Sequence, residues 1–164
     1  MYKRYGKYGW SKGSLLNLAI GQGELLVTPI QILNYMNLIA TKGTSPNCHF
    51  VFVDNLPVNS KPLFDEIVWQ RVHAGMREAI YDNKGTGKKS DPNIDGVNVY
   101  GKTGTAENPH GDNHAWFAGW ADYQNKKYSL VILLENAGSG GAVAAPLAKK
   151  IFIELFSNKL LTHK

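Results

Sequence analysis

The sequence lacks several features that define whole classes of protein. Among its 164 residues there is one cysteine, Cys48, so an internal disulfide and a cysteine-based metal cluster are both excluded. No apolar run approaches the roughly 18 residues of a membrane-spanning helix, and the first residues lack the apolar core of a signal peptide. Lys and Arg outnumber Asp and Glu by 18 to 13 without any long run of one charge. We therefore expect a soluble chain with no targeting or membrane segment and no nucleic-acid partner.

What the chain does have is the composition of a globular, loop-rich protein. Apolar residues make up 43% of it, with 17 glycines and 7 prolines. A chain of this length and composition is enough for one domain with one hydrophobic core. We take residues 1–164 as a single unit.

Apolar residues at helical spacing predict three helices, at 29–42, 65–81 and 144–161. The first should begin at Thr28, whose hydroxyl can cap the helix, with Pro29 at the first helical position. His73 lies one position off the apolar face of the second helix and is predicted at the boundary of the core. The predicted inner faces are Ile32, Leu33, Met36, Ile39 and Ala40; then Val68, Val72, Met76, Ala79 and Ile80; then Leu147, Ala148, Ile151, Phe152 and Leu155.

Alternating β-branched and aromatic residues predict three consecutive strands, at 97–104, 114–121 and 127–135. The connections between them are short, so the strands should be antiparallel, with the last helix across the sheet. The fold class is therefore α/β of the mixed α+β kind. A further strand or hairpin arm is predicted at 44–59, a short apolar run ended by a tight turn at 15–23, and a flexible turn at 138–141.

The first strand ends in the most informative stretch, 101–107. Lys102 offers a fixed positive charge, Thr103 and Thr105 offer hydroxyl donors, and Gly104 has no side chain to keep another backbone away. Together these groups suit an extended peptide that ends in a carboxylate. A solvated turn between two strands is the alternative interpretation.

Three other patterns imitate known sites and are rejected. Gly21-Gln22-Gly23 lacks the third glycine and the strand-turn-helix context of a dinucleotide site. The segment 85–90 lacks the first glycine of a phosphate-binding loop and has a lysine where that loop needs a hydroxyl. His110, Asp112 and His114 alternate like metal ligands but straddle a turn, so no single face is guaranteed to them.

With these residues placed, the chain resembles the C-terminal part of the transpeptidase domain of class B penicillin-binding proteins, in particular the elongation type similar to penicillin-binding protein 2. The resemblance covers essentially the whole chain and depends on several pieces in the order of that family. They are Tyr5–Trp10, Asn17–Gly23 with Thr28–Gln31, Lys102-Thr103-Gly104 extended to Glu107, and His114–Phe117 with Gly119.

The resemblance implies a partial serine β-lactamase-like fold and an acyl-transfer enzyme that needs no cofactor and no metal. Its implied catalytic residues here are Lys102, which holds positive charge in the cleft, and Thr105, whose backbone N–H supplies one arm of an oxyanion hole. Its implied substrate-binding residues are Thr103, Gly104 and Thr105. The implied ligands are a peptidoglycan stem peptide ending in D-Ala-D-Ala and the β-lactams.

The chain departs from the family pattern at the nucleophile. None of its eight serines has a lysine three positions later, so the Ser-x-x-Lys motif is absent, and Ser45-Pro46-Asn47 spells Ser-x-Asn only by chance, in a predicted loop. We therefore expect an incomplete domain that is inactive alone and whose partner is the missing N-terminal half. The parent protein is expected at the cytoplasmic membrane with this domain on the extracytoplasmic side. A sheet without its outer strands also exposes an edge through which the chain can form homo-oligomers.

Two alternatives stay open at this point. One is a non-catalytic module that keeps the peptide-binding strand and uses it, or the face left by the missing half, to bind a partner. The other is part of a β-lactamase or D,D-carboxypeptidase, in which the missing half would decide between hydrolysis and transfer.

Overall fold

Three antiparallel strands form one sheet at the centre of the structure, a computed structural model that describes residues 12–23, 26–51 and 64–157. The strands are β1 (Asn98–Ala106), β2 (His114–Tyr123) and β3 (Lys126–Leu134), in the order β1-β2-β3. Gly101 lies opposite Gly119 in the β1–β2 pair. The predicted sheet is confirmed, and each strand boundary lies within two residues of the predicted one.

Four α-helices accompany the sheet in these ranges: α1 (Lys12–Ala19), α2 (Pro29–Ala40), α3 (Glu66–Tyr81) and α4 (Ala145–Ser157). The Thr28 side chain accepts from the Gln31 backbone N–H, and the Gln31 side chain accepts from the Thr28 N–H, so α2 begins with a full capping box. The predicted part of α4 beyond Ser157 lies outside the described residues. Helix α1 falls where the sequence predicted only a short apolar run, and none of its residues is buried.

Helices cover both faces of the sheet and divide the core into two clusters. On one face, α4 packs Ala148 and Phe152 against Val99 and Phe117. On the other face, Met36, Ile39 and Ala40 of α2 and Trp69 of α3 pack around Trp120. The prediction for α2 is therefore confirmed at three core positions, whereas Ile151 of α4 is exposed rather than internal.

The buried face of α3 agrees only in part with the predicted one. Ile80 is buried as predicted, whereas Val68 and Val72 are exposed and Trp69 is buried in their place. His73 belongs to this face, because its ring lies 5.1 Å from that of Trp120 and its Nε2 is 2.8 Å from the Ile39 carbonyl oxygen. The apolar pattern of the sequence favoured the valines, but the helix turns Trp69 into the cluster around Trp120, where its Nε1–H donates to the Phe64 carbonyl oxygen at 3.1 Å.

Two predicted local structures are wrong. The described part of the predicted strand, 44–51, contains no strand, because side chains of α2 hold it: Asn34 accepts from the Cys48 backbone N–H, and the Asn37 amide donates to the Cys48 Sγ at 3.0 Å. The rest of that prediction lies outside the described residues. The predicted flexible turn at 138–141 instead begins a helical turn, Gly140–Ala144, in which Gly140 is buried.

The sheet keeps both of its outer edges unpaired by any described strand, one along β1 and one along β3. Across the described ranges, each helix is too short or too polar to cross a lipid bilayer. The edge of β1 is the one that carries the residues singled out from the sequence.

Candidate active site

The residues Lys102 to Thr105 lie in the second half of β1 and alternate between the two faces of the sheet. The hydroxyls of Thr103 and Thr105 reach one face, where Thr103 Oγ1 is 2.8 Å from Thr86 Oγ1 and Thr105 Oγ1 accepts from the Gly140 N–H at 3.3 Å. The Lys102 side chain is exposed, and its Nζ donates to the Thr103 carbonyl at 2.9 Å. Among the described residues no carboxylate pairs with Lys102, so its charge stays uncompensated there.

The outer edge of β1 is capped at both ends, and between the caps no described strand pairs with it. At the start, the Val99 N–H donates to the Tyr81 hydroxyl at 2.9 Å. At the end, the Gln22 amide donates to the Thr105 carbonyl at 3.1 Å and accepts from the Glu107 N–H at 3.4 Å.

Because residues 99, 105 and 107 direct their peptide groups outward, those of Gly101 and Thr103 face outward as well. The stretch of edge from Gly101 to Thr105 spans roughly 13 Å at about 3.3 Å per residue. It is therefore long enough for a short extended peptide to add as a further strand.

Glycines allow close backbone approaches on and around β1. A Cβ on Gly140 would lie 2.3 Å from the Gly104 and Trp116 carbonyl oxygens. A Cβ on Gly119 would lie 2.2 Å from the backbone carbonyl oxygen of Tyr100. These contacts fix the backbone of the strand and of the loop beside it. Its polar groups are therefore held in place before any ligand arrives.

A large open cleft of about 1510 Å³ lies on the side of Lys102. Its floor includes Lys102, Gly104 and Trp116 of the sheet, and its walls include Gln22 and Val72. The exposed Val72 of α3 thus lines this cleft, which explains why it is absent from the core.

Burial raises the pKa of the Tyr81 phenol, and the hydrogen bond from Val99 offsets part of that effect. The phenol is therefore neutral at physiological pH, and its oxygen stays available as the acceptor that caps the start of the open edge.

The rejected metal pattern does not form a cluster. His110 and Asp112 lie exposed in the turn between β1 and β2, whereas His114 begins β2 and accepts from the Asn136 N–H through Nδ1 at 3.0 Å. Within the ranges described, no group of three potential ligands is placed to hold a metal ion.

One known protein family matches most of this chain. A model of the penicillin-binding protein transpeptidase domain matches residues 3–153 of the chain. The chain belongs to that family. The resemblance inferred from its motifs is confirmed.

Relatives of this transpeptidase chain are similar along most of its length. It is 30% identical to peptidoglycan D,D-transpeptidase MrdA of Haemophilus influenzae, over an alignment that covers 96% of this chain and 28% of that protein. Pseudomonas aeruginosa PBP2, solved in complex with WCK 5153, superposes with a TM-score of 0.74 at 32% identity, over 89% of this chain and 33% of that one. PBP2 of Helicobacter pylori, solved in complex with MreC, gives a TM-score of 0.75 at 32% identity, over 95% and 30% of the two chains.

Two facts follow from these similarities. The transpeptidase fold is shared, which confirms the predicted fold class. The chain spans only 28% to 33% of the length of these three relatives.

Three residues of the site were not singled out from the sequence: Gln22, Thr86 and Gly140. Each lies at or beside a glycine in a loop, at 21–23, 85–87 and 138–141, and each contacts β1 across a long stretch of chain. The signal that could have found them is the clustering of glycines in three separate loops, because such clusters allow close approach of backbones. Which backbone they approach depends on the tertiary structure.

Replacing Gln22 with alanine should loosen the end of β1 without unfolding the sheet. An amide hydrogen bond contributes about 0.5–1.5 kcal/mol, so hydrogen exchange at the Glu107 N–H should become roughly 2- to 12-fold faster. Gln22→Glu keeps the acceptor for that N–H and should show a smaller increase. The measurement is amide exchange by NMR, with Gln124→Ala, an exposed glutamine on the β2–β3 turn, as the matched control. Unchanged exchange at Glu107 in Gln22→Ala would contradict the bond.

Proposed function

We propose that this chain forms one wall of the active site of a peptidoglycan D,D-transpeptidase, with the open edge of β1 as the place where the substrate binds. The observation that carries the proposal is the stretch from Gly101 to Thr105, where outward peptide groups, an exposed cation and two hydroxyls lie along one strand. A stem peptide ending in D-Ala-D-Ala offers the matching groups: an extended backbone and a terminal carboxylate. A β-lactam presents a carboxylate in the same way.

Each residue has a distinct part in this proposal. Thr105 already accepts from Gly140, so its own hydroxyl proton is free to donate to the carboxylate. The Thr103 hydroxyl would be a second donor when Thr86 supplies the proton of the hydrogen bond between them. The Thr105 N–H points to the open edge and would serve as one donor of the oxyanion hole. Lys102 keeps positive charge beside the reacting groups, and Gly104 lets the ligand backbone lie against the strand.

The chemistry proposed for the complete site is serine acyl transfer. A serine oxygen would bond to the carbonyl carbon of the penultimate D-Ala, the amide bond to the last D-Ala would break, and that D-Ala would leave with a proton. An amine of a neighbouring strand would then take the acyl group and restore the serine. Because no serine in this chain belongs to a Ser-x-x-Lys motif, we place the nucleophile and its base on another segment and expect no activity from this chain alone.

The edge of β3, with which no described strand pairs, and the apolar walls of the cleft support the same conclusion. Ile20 and Leu26 line the cleft and expose 75% and 83% of their surfaces, which is unusual for large apolar residues unless another surface covers them. The missing part of the domain is the proposed cover, and a second copy of this chain is the alternative occupant. The parent protein would act at the outer side of the cytoplasmic membrane, where peptidoglycan is cross-linked.

Intact mass after exposure to excess penicillin tests the proposal. The chain is measured alone and in the reconstituted domain, which is this chain together with a separately produced polypeptide that carries the Ser-x-x-Lys segment of the same domain. We expect no adduct on the chain alone, and an adduct on the partner polypeptide when both are present. An adduct on this chain would overturn the proposal, and so would a partner that acylates equally well without it.

A further inference from the structure

The hydroxyls of Thr86 and Thr103 form a pair at the open edge of β1. Their oxygens lie 2.8 Å apart although 17 residues separate them in sequence. Thr86 is exposed and Thr103 is half-buried, so a ligand on the edge can reach the pair.

The position of Thr86 is held by the backbone around it rather than by its own side chain. The Gly87 N–H donates to the Ala79 oxygen at 2.9 Å, which ties the loop to the end of α3. A Cβ on Gly87 would lie 2.7 Å from the Ile80 side chain, and one on Gly141 would lie 2.9 Å from the backbone carbonyl oxygen of Thr86. The hydroxyl is therefore presented to Thr103 from a fixed support.

The two hydroxyls hold only two protons, and this restricts what Thr103 can do. If Thr103 donates its proton to Thr86, it has none left for a ligand. If Thr86 donates instead, the proton of Thr103 is free. A carboxylate only accepts hydrogen bonds, so binding one at Thr103 selects the second arrangement. A hydroxyl that accepts one bond also donates a stronger one, and the bond to an ionised oxygen is strong in itself.

We infer that Thr86 is a positioning residue of the carboxylate subsite, which directs the Thr103 hydroxyl proton toward the terminal carboxylate of the bound ligand. This inference rests on the proposed function of β1. Because of Thr86, the carboxylate subsite should bind ligands with a free carboxylate more tightly than ligands in which that group is blocked.

The test compares two ligands of the reconstituted domain, a penicillin with its free carboxylate and the methyl ester of the same penicillin. Thr86→Val removes the hydroxyl and keeps the shape of the side chain. We expect it to lower the second-order rate of acylation by the free acid about 5- to 10-fold. The loss should appear in the apparent binding constant rather than in the maximal rate, and the rate with the ester should change by less than about 2-fold. Thr86→Ser should restore the rate with the acid.

Matched variants separate the possible outcomes. Thr44→Val removes a hydroxyl that donates to the backbone carbonyl oxygen of Thr41, far from β1 in sequence. This variant should change neither the rate with the free acid nor the rate with the ester. Thr103→Val should discriminate acid from ester at least as strongly as Thr86→Val. If Thr103→Val does not discriminate, the proposed role of β1 fails. If Thr103→Val discriminates and Thr86→Val does not, or if Thr86→Val slows both ligands equally, Thr86 only ties the loop to the strand and the inference is overturned.

A second measurement keeps the inference testable if Thr86→Val weakens assembly. The Thr86→Ala variant is titrated with an N-acetylated D-Ala-D-Ala peptide and with its C-terminal amide in the same reconstituted domain, with Thr86→Ser as the variant that retains the hydroxyl. A lower preference for the acid in Thr86→Ala, and an unchanged one in Thr86→Ser, is the expected result. An unchanged preference in Thr86→Ala would overturn the inference.

Discussion

Replacing Lys102 with alanine is expected to slow β-lactam acylation of the reconstituted domain by at least about 100-fold, the usual effect of removing a preorganised group that stabilises developing charge. The structure leaves the ammonium exposed beside the open edge, bonded to the Thr103 carbonyl and, among the described residues, to no carboxylate. Its field therefore acts on whatever anion binds there. Lys102→Met keeps most of the side-chain length and should lose as much activity, because the charge is what matters. Samples of the reaction are stopped at successive times, and the acylated fraction in each, measured by intact mass, gives the second-order acylation rate.

A lysine elsewhere on the sheet provides the control. Lys127 pairs with Asp122 at 2.8 Å on the surface, where an ion pair contributes about 0–1 kcal/mol to stability. Lys127→Ala should leave acylation unchanged. An acylation rate in Lys102→Ala within a factor of about two of the original would rule out the role given to this residue.

Replacing Gly140 with alanine is expected to lower both stability and activity. The added Cβ would lie 2.3 Å from two backbone oxygens, those of Gly104 and Trp116, and neither can move without disturbing the β1–β2 pairing. Overpacking of this kind costs about 3 kcal/mol, which corresponds to a fall in melting temperature of roughly 10 °C. The Gly140 N–H would also move away from the Thr105 hydroxyl, so acylation in the reconstituted domain should fall with stability. Thermal unfolding followed by circular dichroism measures the first effect.

The matched control is another glycine-to-alanine change with no steric conflict. Gly75 lies in α3, where an added Cβ would have no neighbouring atom within 4 Å among the described residues. Alanine there should raise stability by about 0.5–1 kcal/mol, since glycine is a poor helix former. If Gly140→Ala melts at the same temperature as the unmodified chain, the close packing of Gly140 against Gly104 is wrong.

The local elements of this protein were readable from its sequence. Thr28 and Pro29 marked the start of α2, and alternation of apolar residues marked the strands, because caps and periodicity are properties of a few neighbouring residues. The motif around Lys102 and its family resemblance were readable for the same reason. Helix α1 was not, since it is only eight residues long and buries none of them, so its apolar residues mark no core face.

The sequence by itself determined the three strands, helices α2 to α4, and the placement of Lys102, Thr103 and Gly104 on one strand. Only the tertiary structure decided which residues surround that strand. Gln22, Thr86 and Gly140 lie between 17 and 83 residues from their partners on β1. The face of α3 that is buried was decided in the same way, by how the helix packs against the sheet and α2. Contacts across such distances depend on how whole elements pack, and no spacing of residue types along the chain encodes them directly.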